Sequence, residues 1–296
     1  MKRIFLLILT NLAVMLVLGV VLRITGLDQY LYYRSGTNLG GLLLASAVIG
    51  FAGAFISLAL SKFMARSMMG VQVIDQPRNA TEQWLVNTVR AQAEQAGIGM
   101  PDVGIFDSPE PNAFATGARR DHALVAVSQG LLDRMSRSET EAVLGHEITH
   151  VANGDMVTMT LLQGVLNTFV YFLSRVLGSI IDNALSGNRE RRSGNGIGYF
   201  ITVMVLQVLL GMLASLVLMW FSRRREFRAD AGGARLSGRN NMIAALERLK
   251  AAHEPAAMPK QFAALGIAGG GAGGLARLFM SHPPLDERIA ALRANV

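Results

Sequence analysis

A chain of 296 residues with 51% hydrophobic and only 17% charged side chains carries too little charge for a water-soluble protein of its size, so part of its apolar content must face lipid. The formal charge of +7 does not point to nucleic acid: the lysines and arginines sit mostly at the ends of apolar runs, and no aromatic-interleaved basic stripe is present. Zero cysteines exclude disulfides and thiolate ligands, and agree with a domain in the cytosol.

In chain order, residues 4–22 follow Met1-Lys2-Arg3 and are long enough to span a bilayer. The run is long and lacks a clean small-x-small cleavage site, so it reads as an uncleaved anchor and not a signal peptide. A second span, 39–60, is rich in Gly and Ala and ends at Lys62 and Arg66. With basic residues outside both ends, residues 1–66 read as a transmembrane hairpin whose two ends are cytoplasmic. Residues 67–155 then read as the first part of an α+β domain. An amphipathic helix over 82–95, with Trp84, Leu85, Thr88, Val89 and Gln92 at helical spacing, closes at Gly97. Short strands follow at 103–106 and 124–127, around a turn-rich segment holding Pro109, Pro111 and Gly117.

Ser138 and Glu141 form an S-x-x-E capping box, and Ala142-Val143-Leu144 leads the helix into His146-Glu147-Ile148-Thr149-His150. Histidines four apart share a helical face, so both imidazoles can bind one zinc, and Glu147 beside the first can take the proton of a water that the metal activates. The plain alternative is an amphipathic helix with two solvated histidines. Only five histidines occur in the chain, and two in this arrangement argue against it. The positions that hold glycine and a third histidine in H-E-x-x-H-x-x-G-x-x-H are Asn153 and Met156 here, which excludes the metzincin arrangement. The third ligand must then be a carboxylate from a later helix.

Residues 156–181 form a third apolar stretch, interrupted by Gln163, Asn167 and Arg175, and 197–221 form a clear fourth that ends at Arg223-Arg224-Arg225. Residues 156–221 thus read as a second hairpin, either crossing the membrane or partly packed on the domain at its surface. Arg189, Arg191 and Arg192 in its loop oppose transfer. Residues 222–296 are the second part of the domain. There, Glu226 and Asp230 lie four apart on one helical face: Glu226 would bind the metal, and Asp230 would accept a hydrogen bond from the other nitrogen of a ligand histidine. A surface helix with exposed arginine–carboxylate pairs is the plain alternative. An amphipathic helix follows at 240–252, then a glycine-rich loop at 266–274 with no phosphate-binding lysine after it, and a capped helix start at 281–289.

Five separated motifs, in order, carry a resemblance over nearly the whole chain. They are Gln76-Pro77-Arg78-Asn79, Asn112-Ala113-Phe114-Ala115-Thr116-Gly117, the His146–His150 motif with Ala152-Asn153-Gly154-Asp155, Arg225-Glu226-Phe227-Arg228-Ala229-Asp230, and His282-Pro283-Pro284-Leu285. Together they resemble the HtpX family of bacterial heat-shock integral-membrane zinc metalloproteases, related to the CAAX prenyl endopeptidases. The resemblance implies a mainly α, α+β membrane protein with about four hydrophobic segments and a gluzincin-like metalloprotease domain. It implies one zinc per chain, held by His146, His150 and Glu226, with Glu147 as general base. It also implies polypeptide substrates, membrane proteins above all, and a bacterial inner-membrane location with the catalytic domain facing the cytoplasm. Asn112, Ala113 and Phe114 resemble the edge strand on which related proteases hold substrate; the alternative is a plain turn into a strand. His282 stabilises the oxyanion or belongs to the cap of the last helix. His122 and His253 have no partner motif and read as surface residues. From other classes, a scaffold or sensor with structural zinc would want four ligands and no base, and a transporter would want charges within the spans.

Overall fold

The computed structural model describes residues 38–186, 196–253 and 276–294, with scattered positions between 20 and 33. The expected first span, 4–22, and the glycine-rich loop, 266–274, lie almost wholly outside the described residues. The elements are α1 (Leu39–Met68), β1 (Gln72–Val73), α2 (Ala80–Ala96), β2 (Asp102–Phe106), β3 (Ala113–Thr116), β4 (Leu124–Ser128), α3 (Gln129–Arg134), α4 (Arg137–Asn153), α5 (Asp155–Ser186), α6 (Ile197–Ser237), α7 (Arg239–His253) and α8 (Leu285–Ala294). They divide into two compact units. One holds the chain up to Ser57 with Val157–Leu218; the other holds Leu58–Met156 with Met219 onward.

The first unit is helical. Three helices of the described chain, α1, α5 and α6, are long and apolar enough to cross a membrane. Large apolar side chains such as Leu44, Val48, Phe200, Met204, Val208 and Leu213 are exposed on them, the pattern of a lipid-facing surface. Gly50 lets α1 and α5 touch, since a Cβ there would stand 2.7 Å from the backbone nitrogen of Thr168. The polar residues expected to interrupt the third stretch do not break it. Gln163 donates to Asn167 across one turn (2.8 Å), and Arg175 donates to the Tyr171 carbonyl (3.3 Å) with its guanidinium 4.8 Å above the Tyr171 ring. Gln163, Asn167 and Arg175 thus bond within their own helix, and α5 runs unbroken for 32 residues.

The second unit is α+β. Its sheet has the order β1-β2-β4-β3, with β2 and β4 parallel and the outer pairings antiparallel. Every residue of β4 is buried, because both faces are covered. Val125 and Val127 point into the main core with Leu85 and Val89 of α2, Leu144 and Ile148 of α4, Met242 and Leu246 of α7, and Ile289 and Leu292 of α8. Leu124 and Ala126 point the other way, against Ala65, Val71 and Phe106.

Helix starts follow local hydrogen bonding. Asn79 caps α2 by accepting from the Glu82 amide, and Gly97 ends it at φ 68°. The capping box of α4 is Ser136–Glu139, two residues before the expected Ser138–Glu141. Two S-x-x-E frames overlap in this stretch. The earlier one starts the helix sooner and leaves Glu141 to accept from Trp84 Nε1 (3.2 Å), tying α4 to α2. The fourth apolar stretch is also longer than its hydropathy suggests. No proline follows Phe221 before Gly238 ends the helix at φ 94°, so α6 continues through the arginines and the Glu226–Asp230 motif to Ser237.

Candidate metal centre

Helices α4 and α6 bring the three expected ligands together. His146, His150 and Glu226 are buried, and one donor atom from each lies within 4.8 Å of the others. Glycine permits the approach. A Cβ on Gly233 would stand 2.9 Å from the His146 backbone nitrogen, and one on Gly145 would stand 3.3 Å from the Gly233 Cα. Gly233 lies seven residues after Glu226, on the same face, so this close crossing points the Glu226 side chain at the histidines.

The outer nitrogens of both rings are already committed. His146 Nδ1 meets Asp230 Oδ1 at 2.9 Å, and His150 Nδ1 meets Asp155 Oδ2 at 2.7 Å. Carboxylate partners fix the Nδ1–H tautomer and turn each Nε2 lone pair inward. The two Nε2 atoms are then 3.1 Å apart, with Glu226 oxygens at 3.4 and 3.5 Å. Two lone pairs and a carboxylate facing one point repel unless a positive charge lies among them. The same demand appears as proton affinity. Burial disfavours a charged His150, yet hydrogen bonds to Asp155 and Glu226 outweigh it and push its pKa up to about 9. His146 is likewise raised against its burial by Asp230 and Glu226. Burial works to raise the Glu226 pKa, but contacts with His146, His150 and His282 drive it far below the usual carboxylate range. Two imidazole nitrogens and one carboxylate oxygen form a set that suits a divalent metal and leaves its remaining positions open.

Asp230 is itself clamped. The buried guanidinium of Arg288 donates from Nε to Oδ2 (2.8 Å) and from Nη2 to Oδ1 (2.5 Å), while its Nη1 lies 3.6 Å from Glu226. Arg288 and Asp230 hold each other ionised against the burial of both. Neither Asp155 nor Arg288 was assigned a role from the sequence. Asp155 follows Gly154, which ends α4 in the left-handed conformation at φ 67° and turns the chain back toward His150. Arg288 arrives from α8, beyond the reach of any local spacing rule.

A cleft of about 620 Å³ opens on this centre and is lined by His146, Glu147, Glu226, His282, Asn112 and Ala113, among others. Glu147 is half-buried on its wall. The expected substrate segment lies on β3, at one edge of the sheet. Asn112 O accepts from Ser128 N (2.8 Å) and Asn112 N donates to Ser128 Oγ (2.9 Å), so Asn112 faces β4. By the period of two, Ala113 and Ala115 turn their main-chain groups to the open side. Phe114 does not line the cleft; its ring packs 5.5 Å from Phe106 on the opposite face of the sheet. His282 Nδ1 lies 2.7 Å from Glu226 Oε2. At the start of α8 the Pro284 carbonyl accepts from the Glu287 and Arg288 amides. His122 is exposed, and the His253 side chain lies outside the described residues.

A buried His-His-Glu group with a glutamate after its first histidine, in a chain with membrane-crossing helices, defines a membrane-bound metalloprotease. The chain belongs to Peptidase family M48, whose profile matches residues 79–296. It is 60% identical over 296 residues to Protease HtpX of Thioalkalivibrio sulfidiphilus, covering 99% of both chains. It is 61% identical over 294 residues to Protease HtpX of Xanthomonas campestris pv. campestris, covering 99% of this chain and 98% of that one. Among solved structures, Ste24p of S. mikatae shares the fold, with a TM-score of 0.61 at 20% identity over 99% of this chain and 67% of its own. The resemblance drawn from the five motifs is borne out, and the scaffold and transporter readings find no support.

Proposed function

We propose that the metal is one zinc per chain, that His146, His150 and Glu226 hold it, and that the enzyme removes misfolded or damaged proteins, membrane proteins above all, from the bacterial inner membrane. The observation that carries this reading is the convergence of both Nε2 atoms and the Glu226 carboxylate while each Nδ1 is taken by an aspartate. Zinc at such a set supplies Lewis acidity, bringing the pKa of water toward ~7 and polarising a carbonyl. Glu147 takes a proton from the attacking water and delivers it to the leaving amine, acting as base and then as acid. Asp230 and Asp155 keep the rings oriented. Substrate lies extended along the free edge of β3, held by the main-chain groups of Ala113 and Ala115, so side-chain preference is loose. His282, on the cleft and beside Glu226, stabilises the developing oxyanion.

Lys62, Arg66 and Arg223–Arg225 at the ends of the apolar helices support a catalytic unit facing the cytoplasm. Metal analysis of the detergent-purified chain, paired with casein hydrolysis, tests the reading. About one zinc per chain and activity lost with a chelator and regained with zinc are expected. Full hydrolysis by metal-free protein would refute it.

A further inference from the structure

One apolar cluster of the second unit takes no part in the chemistry described. Ala276–Phe279 form a single 3-10 turn, and at its end Leu278, Phe279 and Met280 are exposed at 43%, 50% and 38%. Three consecutive large apolar side chains in water are unfavourable, and their backbone is not free to turn them inward. Arg223 Nη1 donates to the carbonyls of both Leu278 (3.0 Å) and Met280 (2.8 Å), fixing the segment to α6.

The tether's position in the helix is informative. Arg223 stands where the apolar run of α6 gives way to Arg223-Arg224-Arg225. Trp220, just before it, is 54% exposed, with the Arg224 guanidinium 5.4 Å above its ring. An exposed tryptophan followed by arginines at the end of a membrane-crossing helix is the chemistry of the bilayer–water boundary. The apolar triplet is therefore tied to the helix at headgroup level. The next residues, Met280 and His282, line the catalytic cleft with His146 and Glu147.

We propose that Leu278 and Phe279 seat in the headgroup–acyl boundary of the bilayer, so that one lip of the cleft rests on lipid. The tether to Arg223, the exposed Trp220 beside it and the adjoining arginines, which suit anionic headgroups, favour lipid as the occupant over a second copy of the chain or a polypeptide partner. A substrate segment leaving the bilayer then meets the cleft at its lip without first crossing open water. The inference rests on the membrane location proposed above, but not on proteolysis.

The absence of cysteine makes the test direct. The full chain carrying Phe279→Cys, labelled with an environment-sensitive fluorophore, is reconstituted in vesicles of phosphatidylethanolamine and phosphatidylglycerol with or without nitroxide-bearing acyl chains. Blue-shifted emission, quenched by the nitroxide lipid well beyond a label at exposed Asn87→Cys on α2, is expected. Emission and quenching equal to that control overturn the proposal. Blue-shifted emission without quenching also overturns it, since protein and not lipid then covers the site. In the same vesicles, Phe279→Asp should slow cleavage of a membrane-anchored substrate severalfold and leave cleavage of a soluble peptide unchanged. Equal loss on both substrates, or on neither, contradicts the seat. The label reports with or without catalysis, so failure of the proposed activity and failure of the seat are read separately.

Discussion

Each histidine of the candidate metal centre has one nitrogen committed to an aspartate, but the two aspartates are held differently. Asp155 lies in the turn just after the motif, whereas Asp230 is locked by the buried Arg288. Replacing either aspartate by alanine should weaken metal binding about 10–100-fold, measured by chelator competition, and unchanged affinity in both would remove their orienting role. Arg288→Met should destabilise the fold by about 3–5 kcal/mol, because it strands the Asp230 carboxylate in a buried site. Adding Asp230→Asn should restore much of that stability but not the metal affinity; urea unfolding with metal titration separates the two. His146, His150, Glu226 and Asp230 were legible in the sequence because helical periodicity converts a spacing of four into a shared face, and Glu147 because it adjoins the first histidine. Asp155 was not, since a helix break lies between it and its partner. Arg288 was not either, since only the fold of α8 against α6 brings it to Asp230.

Among the elements, β3 and the α4–α6 crossing make separate demands. The amide of Ala115 faces the open side of β3, so Ala115→Pro removes a donor for substrate without touching the β4 ladder. One main-chain hydrogen bond is worth about 1 kcal/mol, so KM for an extended peptide should rise about fivefold with unfolding unchanged. A lowered melting temperature with unchanged KM would mean that the edge is structural only. A methyl group on Gly232 would overlap the side chain of Thr149, one residue before His150. Gly232→Ala should therefore cost about 1–3 kcal/mol by forcing the helices apart, seen as a lower melting temperature, and no loss would show that the crossing has slack. Apolar runs and strand alternation made these elements readable in kind but not in extent. Hydropathy falls at Arg223 while helix propensity does not, which hid the full length of α6. Two overlapping S-x-x-E frames hid the start of α4.

For the whole molecule, the proposed metal centre needs His146, His150 and Glu226 in one compartment, and the basic residues beside the apolar helices favour the cytoplasm under the proposed reading. In the cysteine-free chain, Ser186→Cys should react with a membrane-impermeant thiol reagent on intact cells, and Ser138→Cys only after the cells are opened. Labelling of Ser138→Cys on intact cells would put the catalytic unit on the other side. The central claim is that three side chains hold the metal while a fourth, Glu147, moves the proton. It is tested most directly by measuring zinc content and casein hydrolysis in one preparation of Glu147→Gln. The account predicts about one zinc per chain, as in the wild type, with hydrolysis abolished. Hydrolysis at the wild-type rate, or a metal-free protein, would contradict it.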